Sequence, residues 1–168
     1  MLLFVPVPWL IGWVLAAILH ELGHLLALYI FRIKIYSLQL SVLGAKIVTE
    51  AISPFQEAIC AFSGPAIGLL SLVFMKSFPY AALAAVIQST YNLIPIYPLD
   101  GGRVMLALLN CFLPSRIAVK ISNFVSYAVI LAITILGAWV SYRYRLGFWS
   151  IWYPFAAIIL IMRKNTLH

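Results

Sequence analysis

Residues 4–31 read FVPVPWLIGWVLAAILHELGHLLALYIF, and this stretch decides what kind of protein the rest must be. It is apolar for longer than the roughly 20 residues a helix needs to cross a bilayer, yet it carries His20, Glu21 and His24 in its second half. No basic region precedes it and no small-residue cleavage site comes before His20, so it reads as a retained membrane helix rather than a leader. An ionisable side chain at the centre of a membrane helix costs about 3 kcal/mol unless it has a partner or a task. Three inside one pentapeptide, HELGH, need a common reason.

Composition points to the same solvent. Of 168 residues, 65% are hydrophobic and only 9% charged, with a mean hydropathy of +1.08. A soluble domain has about a quarter of its residues charged, and one this small lacks the interior to hide so much apolar surface. The solvent is therefore lipid, and a soluble globular domain is excluded. Eleven Lys and Arg stand against four acids, a formal charge of +7. They are scattered between apolar runs without a basic-aromatic stripe, which fits helix ends anchored on anionic headgroups and not a nucleic-acid partner. Cys60 and Cys111 stand apart without Cys-x-x-Cys spacing, so they read as small buried hydrophobes and imply neither disulfide nor zinc ribbon.

Outward from the first segment, four more hydrophobic segments follow, at residues 54–75, 79–96, 117–139 and 147–162. Pro54 suits the first helical turn after Ser53. Residues 34–41 and 45–49 alternate loosely and are rich in β-branched and aromatic side chains, which predicts a hairpin around Gly44 at the membrane surface. A short helix is expected at 102–113, stopped by Pro114. The expected fold is an all-α polytopic membrane protein of about five transmembrane helices with this small β-hairpin. No internal repeat or long linker appears, so residues 1–168 are expected to form one integral-membrane domain, with its core at about 8–113. If the end of the first segment is cytoplasmic, Arg32, Lys34, Lys46, Arg103, Arg116, Lys120, Arg163 and Lys164 lie inside. Only Lys76, Arg143 and Arg145 then lie outside. That bias places the N-terminus outside and the C-terminus inside under the positive-inside rule.

The chemistry lies in the spacing. At i and i+4, His20 and His24 project from one helix face, about 40° and one turn apart, so both imidazoles reach one tetrahedral Zn2+. Glu21 points beside the metal and is suited to take a proton from the attacking water and pass it to the leaving amine. Gly23 leaves room for close backbone approach, or simply packs helices well. The plainer alternative is a buried hydrogen-bonded cluster without metal.

A third ligand is still needed, and the remaining acids are Glu50, Glu57 and Asp100. Asp100 sits in NLIPIYPLDGGR, residues 92–103, where Pro95 and Pro98 break the third segment and Gly101 and Gly102 keep the chain irregular. Non-helical backbone at membrane depth is tolerated only inside protein or beside a wet cavity, so this acid is poised to face the metal. Otherwise it is an ordinary exit turn with a solvated Asp. Glu50 and Glu57 fit the hairpin and the first turn of the second helix better, and His168 reads as a solvated tail residue. His24 lies about 10 Å along the helix from its Phe31 end, so the site should open toward the cytoplasm.

These residues resemble the site-2 protease family of intramembrane zinc metalloproteases. The likeness rests on HELGH at His20 to His24 and on N-x-x-P-x-x-P-x-D-G at Asn92, Pro95, Pro98, Asp100 and Gly101. It implies that His20, His24 and Asp100 bind one Zn2+ per chain and that Glu21 is the general base. It also implies that Asn92 holds the substrate or the oxyanion. Ser63-Gly64-Pro65 looks like the family's Gly-Pro element in the next helix, while Gly68 stands where many relatives have Asn. Neither a PDZ domain nor a cystathionine-synthase-like domain after the fifth segment is expected. The layout is similar to the sporulation members that process a sigma-factor precursor, without a regulatory tail, and the membrane helix that precedes HELGH in many relatives is expected to be absent.

The implied activity is hydrolysis of membrane-embedded or membrane-tethered proteins, in regulated proteolysis such as transcription-factor precursor processing, in a bacterial cytoplasmic membrane. The expected partners are a membrane-tethered protein substrate and a regulatory membrane protein. An intact substrate helix cannot place a carbonyl on the metal, so it is expected to unwind and add a strand to the hairpin edge. The rivals are a membrane metal transporter and a catalytically inactive scaffold. Transport leaves Glu21 and the Pro-rich Asp loop unexplained, and the intact motif argues against the scaffold.

Overall fold

The computed structural model describes residues 6–41 and 44–145. Its elements run α1 (Val7–Ile30), β1 (Ile35–Ser41), β2 (Gly44–Thr49), α2 (Pro54–Leu70), α3 (Pro79–Asn92), α4 (Asp100–Phe112) and α5 (Ser115–Tyr144). A short 3-10 turn, Ser71–Phe74, prolongs α2. Among the described residues, Val7–Ile30, Pro54–Phe74 and Ser115–Tyr144 are long and apolar enough to cross a membrane. The helical membrane architecture with its hairpin therefore holds. The expected fifth segment, 147–162, lies outside the described residues.

α1 shows how such a chain finds its inside. Its buried residues are Gly12, Ala16, His20, Gly23, His24, Ala27 and Leu28, while Leu10, Ile11, Val14, Ile18, Leu22 and Leu26 are exposed. Large aliphatic side chains gain nothing by leaving lipid for protein, so small residues take the protein-facing side and let backbones approach. Against α1, α2 runs antiparallel: Ala27 and Leu28 cluster with Cys60, and Gly23 lies against Ser63 and Gly64. α3 runs alongside α1 in the same direction. Trp9 meets Tyr80 edge-on at 5.4 Å, and Ala16 packs with Ala84 and Ala85 one layer further on.

The termini follow local chemistry. Ser53 caps α2 in a capping box with Gln56, and Pro54 occupies the first turn as expected. β1 and β2 pair antiparallel with an irregularity between Ile35 and Ser37, and the sheet begins one residue before the expected second strand, at Gly44. Glu50 belongs to the hairpin: its side chain accepts from the Lys34 N–H at 3.1 Å.

Several helix boundaries differ from expectation. α3 stops at Asn92, short of residue 96, because Pro95 disfavours the helical region for Ile94. At 14 residues α3 is about 21 Å long, less than a bilayer core. α4 starts at Asp100, two residues early, so Asp100 is not in the irregular loop but is the first helical residue, where negative charge suits the helix dipole. Finally, α5 is 30 residues long and runs past Trp139 to Tyr144, ending where Arg145 turns left-handed at φ 53°.

Candidate metal centre

The site forms where α1, α2, α3 and the start of α4 converge. Asp100 Oδ2 lies 2.9 Å from His20 Nε2 and 3.4 Å from His24 Nε2, and the two Nε2 atoms are 3.2 Å apart. All three residues are buried. A tetrahedral zinc with bonds of about 2.0–2.1 Å has donor–donor edges of about 3.3 Å. The triangle already has those edges, from two imidazole nitrogens and a carboxylate oxygen, and leaves a fourth corner to others. The donor set fits zinc.

The His24 imidazole is aimed from behind. His24 Nδ1 lies 2.7 Å from the Cys60 carbonyl; donating there puts the proton on Nδ1 and leaves Nε2 as a lone pair toward the centre. α2 presents this carbonyl next to Pro65, which has no N–H to give to Ala61 and so loosens the helical ladder nearby. Burial alone would raise the Asp100 carboxyl. The two imidazoles beside it outweigh burial and hold it well below the usual carboxylate range, so it stands as an anion.

Two close approaches make the geometry attainable. A Cβ on Gly64 would meet the His24 imidazole, and one on Gly23 would stand 2.7 Å from the Ser63 carbonyl oxygen. The ring therefore occupies the space that a larger residue at 64 would take. At the other end, a Cβ on Gly101 would collide with the Leu93 carbonyl, so α4 starts hard against the loop that follows α3. This contact brings Asp100 up to α1.

Of the remaining expected residues, Asn92 closes α3 with its Nδ2 3.3 Å from His20 Nε2, at the rim of the triangle. Glu21 is half-buried and makes no hydrogen bond or ion pair among the described residues. The structure thus brings His20, His24, Asp100 and Asn92 together and leaves Glu21 uncommitted beside His20. Gly68 is filled from outside: a Cβ there would meet the Ser89 hydroxyl, so the space beside it is taken by a neighbour on α3.

Two features were not legible in the residue pattern. One is the Cys60 carbonyl, since every residue carries such a group. The other is Glu57, in the first turn of α2 as expected but also bonded to Arg103, whose Nη2 and Nε lie 2.7 and 3.2 Å from its Oε1. Beside this pair opens a cavity of about 360 Å³, lined by Ile52, Pro54, Tyr97 and Asn110 among others.

No family model matches the chain. Over 120 residues it is 32% identical to a "putative zinc metalloprotease" of Synechocystis sp., covering 58% of this chain and 32% of that protein. It is 28% identical over 109 residues to a zinc metalloprotease of Methanocaldococcus jannaschii, covering 56% of this chain and 32% of the relative. The chain thus spans about a third of the length of these curated relatives. A solved site-2 protease from M. jannaschii superposes with a TM-score of 0.67 at 20% identity, over 91% of this chain and 75% of the other. The fold is shared with that site-2 protease, and the two sequence relatives carry the name zinc metalloprotease.

Proposed function

We propose that this chain, with a site-2 protease fold and a zinc-fitting triangle buried in an apolar bundle, is a zinc-dependent endopeptidase acting on membrane-embedded or membrane-tethered proteins. The observation that carries the reading is the geometry of His20, His24 and Asp100 with an uncommitted Glu21 beside it. A transporter needs no such carboxylate next to a ligand.

His20, His24 and Asp100 would hold the ion. Bound there, zinc supplies Lewis acidity, polarising a carbonyl and acidifying water. Glu21 accepts the proton of the attacking water and returns it to the leaving amine, a role worth about 10²–10⁴-fold in rate. Asn92 Nδ2, at the rim, donates to the oxygen of the scissile carbonyl as charge develops on it. The surrounding apolar helices exclude bulk water and so strengthen each of these interactions.

The substrate must unwind to reach this centre, and a strand added to the free edge of the hairpin would present its carbonyl in extended form. Proline at alternating hairpin positions, with fold and zinc content retained, should lower cleavage; unchanged cleavage rules the edge out. The distribution of Lys and Arg supports a site opening to the cytoplasm, and processing of a precursor under control of a membrane partner is the biological setting that fits. The decisive experiment compares the unmodified chain with Glu21→Gln in liposomes against a panel of membrane-tethered segments. Both should hold about one zinc and only the unmodified chain should cut. Equal cleavage by Glu21→Gln refutes the proton role, and zinc transport that survives the substitution favours the transporter.

A further inference from the structure

Asp100 uses its two oxygens in opposite directions. Oδ2 faces the imidazoles, while Oδ1 lies 3.5 Å from Arg103 Nη1, one turn along α4. Arg103 is itself held, since Nη2 and Nε both reach Glu57 Oε1 at 2.7 and 3.2 Å. Glu57 stands in the first turn of α2, three residues before Cys60, whose carbonyl orients His24. One turn of α2 therefore reaches both sides of the triangle: His24 through a carbonyl, Asp100 through a guanidinium.

Stability does not account for the Glu57–Arg103 pair. Both side chains are about a third exposed, at 34% and 37%, and such a pair adds little to folding. Geometry accounts for it better. The guanidinium is a rigid planar fork, and with two of its nitrogens fixed on one carboxylate oxygen the third has a defined direction. A carboxylate at a helix start can otherwise rotate about its own side chain, offering the ion either oxygen or both.

We propose that Arg103, clamped by Glu57, is a positioning residue that fixes the Asp100 carboxylate so that Oδ2 alone faces the metal. The inference rests on the metal-site reading above. Charge and position make opposite predictions here, which is what makes it testable. A guanidinium so close to a dication repels it, so by charge alone its removal tightens zinc binding. If Arg103 orients the ligand, its removal loosens binding, as loss of an outer hydrogen-bonding partner does at other metal sites, by about 10–100-fold.

The experiment uses the full chain in detergent, with zinc affinity read by chelator competition and geometry read by the visible spectrum of the Co2+-loaded protein. Arg103→Gln should lower zinc affinity about 10–100-fold and shift the Co2+ bands. Arg103→Lys keeps the charge but not the fork and should not restore either. Glu57→Gln, partly exposed and isosteric, should fold normally and shift both readouts in the same direction by less. Unchanged or tighter zinc binding in Arg103→Gln overturns the proposal, as does full rescue by lysine; an unchanged Glu57→Gln removes the clamp. Failure of the unmodified chain to bind zinc or Co2+ overturns both this inference and the metal reading on which it rests.

Discussion

α1 and α5 are both long, apolar and able to cross a membrane, yet 33% of α1's most apolar window is buried within protein against 6% of α5's. Hydropathy therefore says which solvent a helix occupies and not how deep it sits in the fold. What separates the two is the run of small and polar residues. In α1 it extends from Gly12 through His24 to Ala27, and three helices pack against it. In α5, Ala118, Ser122 and Ser126 are buried near the start, where the Ser126 hydroxyl lies 3.3 Å from the Tyr97 N–H and 3.5 Å from the Pro95 carbonyl. The first helix builds the site; the last props the loop behind it.

Substitutions can break this contrast at graded depth. The largest effect should come from His24→Ala, which removes a ligand: metal analysis should find zinc lost and cleavage at background. Its counterpart on α5, Thr134→Ala, whose hydroxyl donates to the Ile130 carbonyl of its own helix, should leave both unchanged. A loss of zinc from the α5 variant would end the division of labour drawn here.

Next in size is a pair of identical changes. Gly64→Ala places a methyl against the His24 ring, so zinc affinity should drop at least about tenfold, equivalent to about 1.4 kcal/mol and within the usual cost of overpacking. Gly137→Ala on α5 meets nothing within 4 Å among the described residues, and chelator titration should find no change. Equal behaviour of the two would mean that the crossing of α1 and α2 is looser than it looks. The smallest effect belongs to Ser126→Ala, which loses the hydroxyl behind the Asn92–Asp100 loop. It should cost about 1 kcal/mol of stability, seen as a lower thermal midpoint in detergent, with zinc retained.

How much of this could be read in the residues alone follows from the same contrast. HELGH and the Asn92–Asp100 run were legible because their chemistry is rare in an apolar chain and their spacings are local. The hairpin was legible to within a residue at its second strand. The end of α3 was misplaced because hydropathy continues to Ile96 although the restriction imposed by Pro95 acts earlier. Glu57 and Arg103, 46 residues apart, looked like a helix-terminus acid and a membrane-surface cation. Each description is adequate locally, and only the packing of α4 on α2 adds the bond between them.

The meeting of His24 with Gly64 has a wider consequence. The imidazole is at once a proposed metal ligand and a surface across which two helices dock, so on that proposal a chain that inserts its helices correctly but assembles them wrongly has no place to load the ion. Metal content then reports on assembly as well as catalytic competence. A cell that meters zinc, or a protease that clears metal-free copies, would be sorting this protein by its fold.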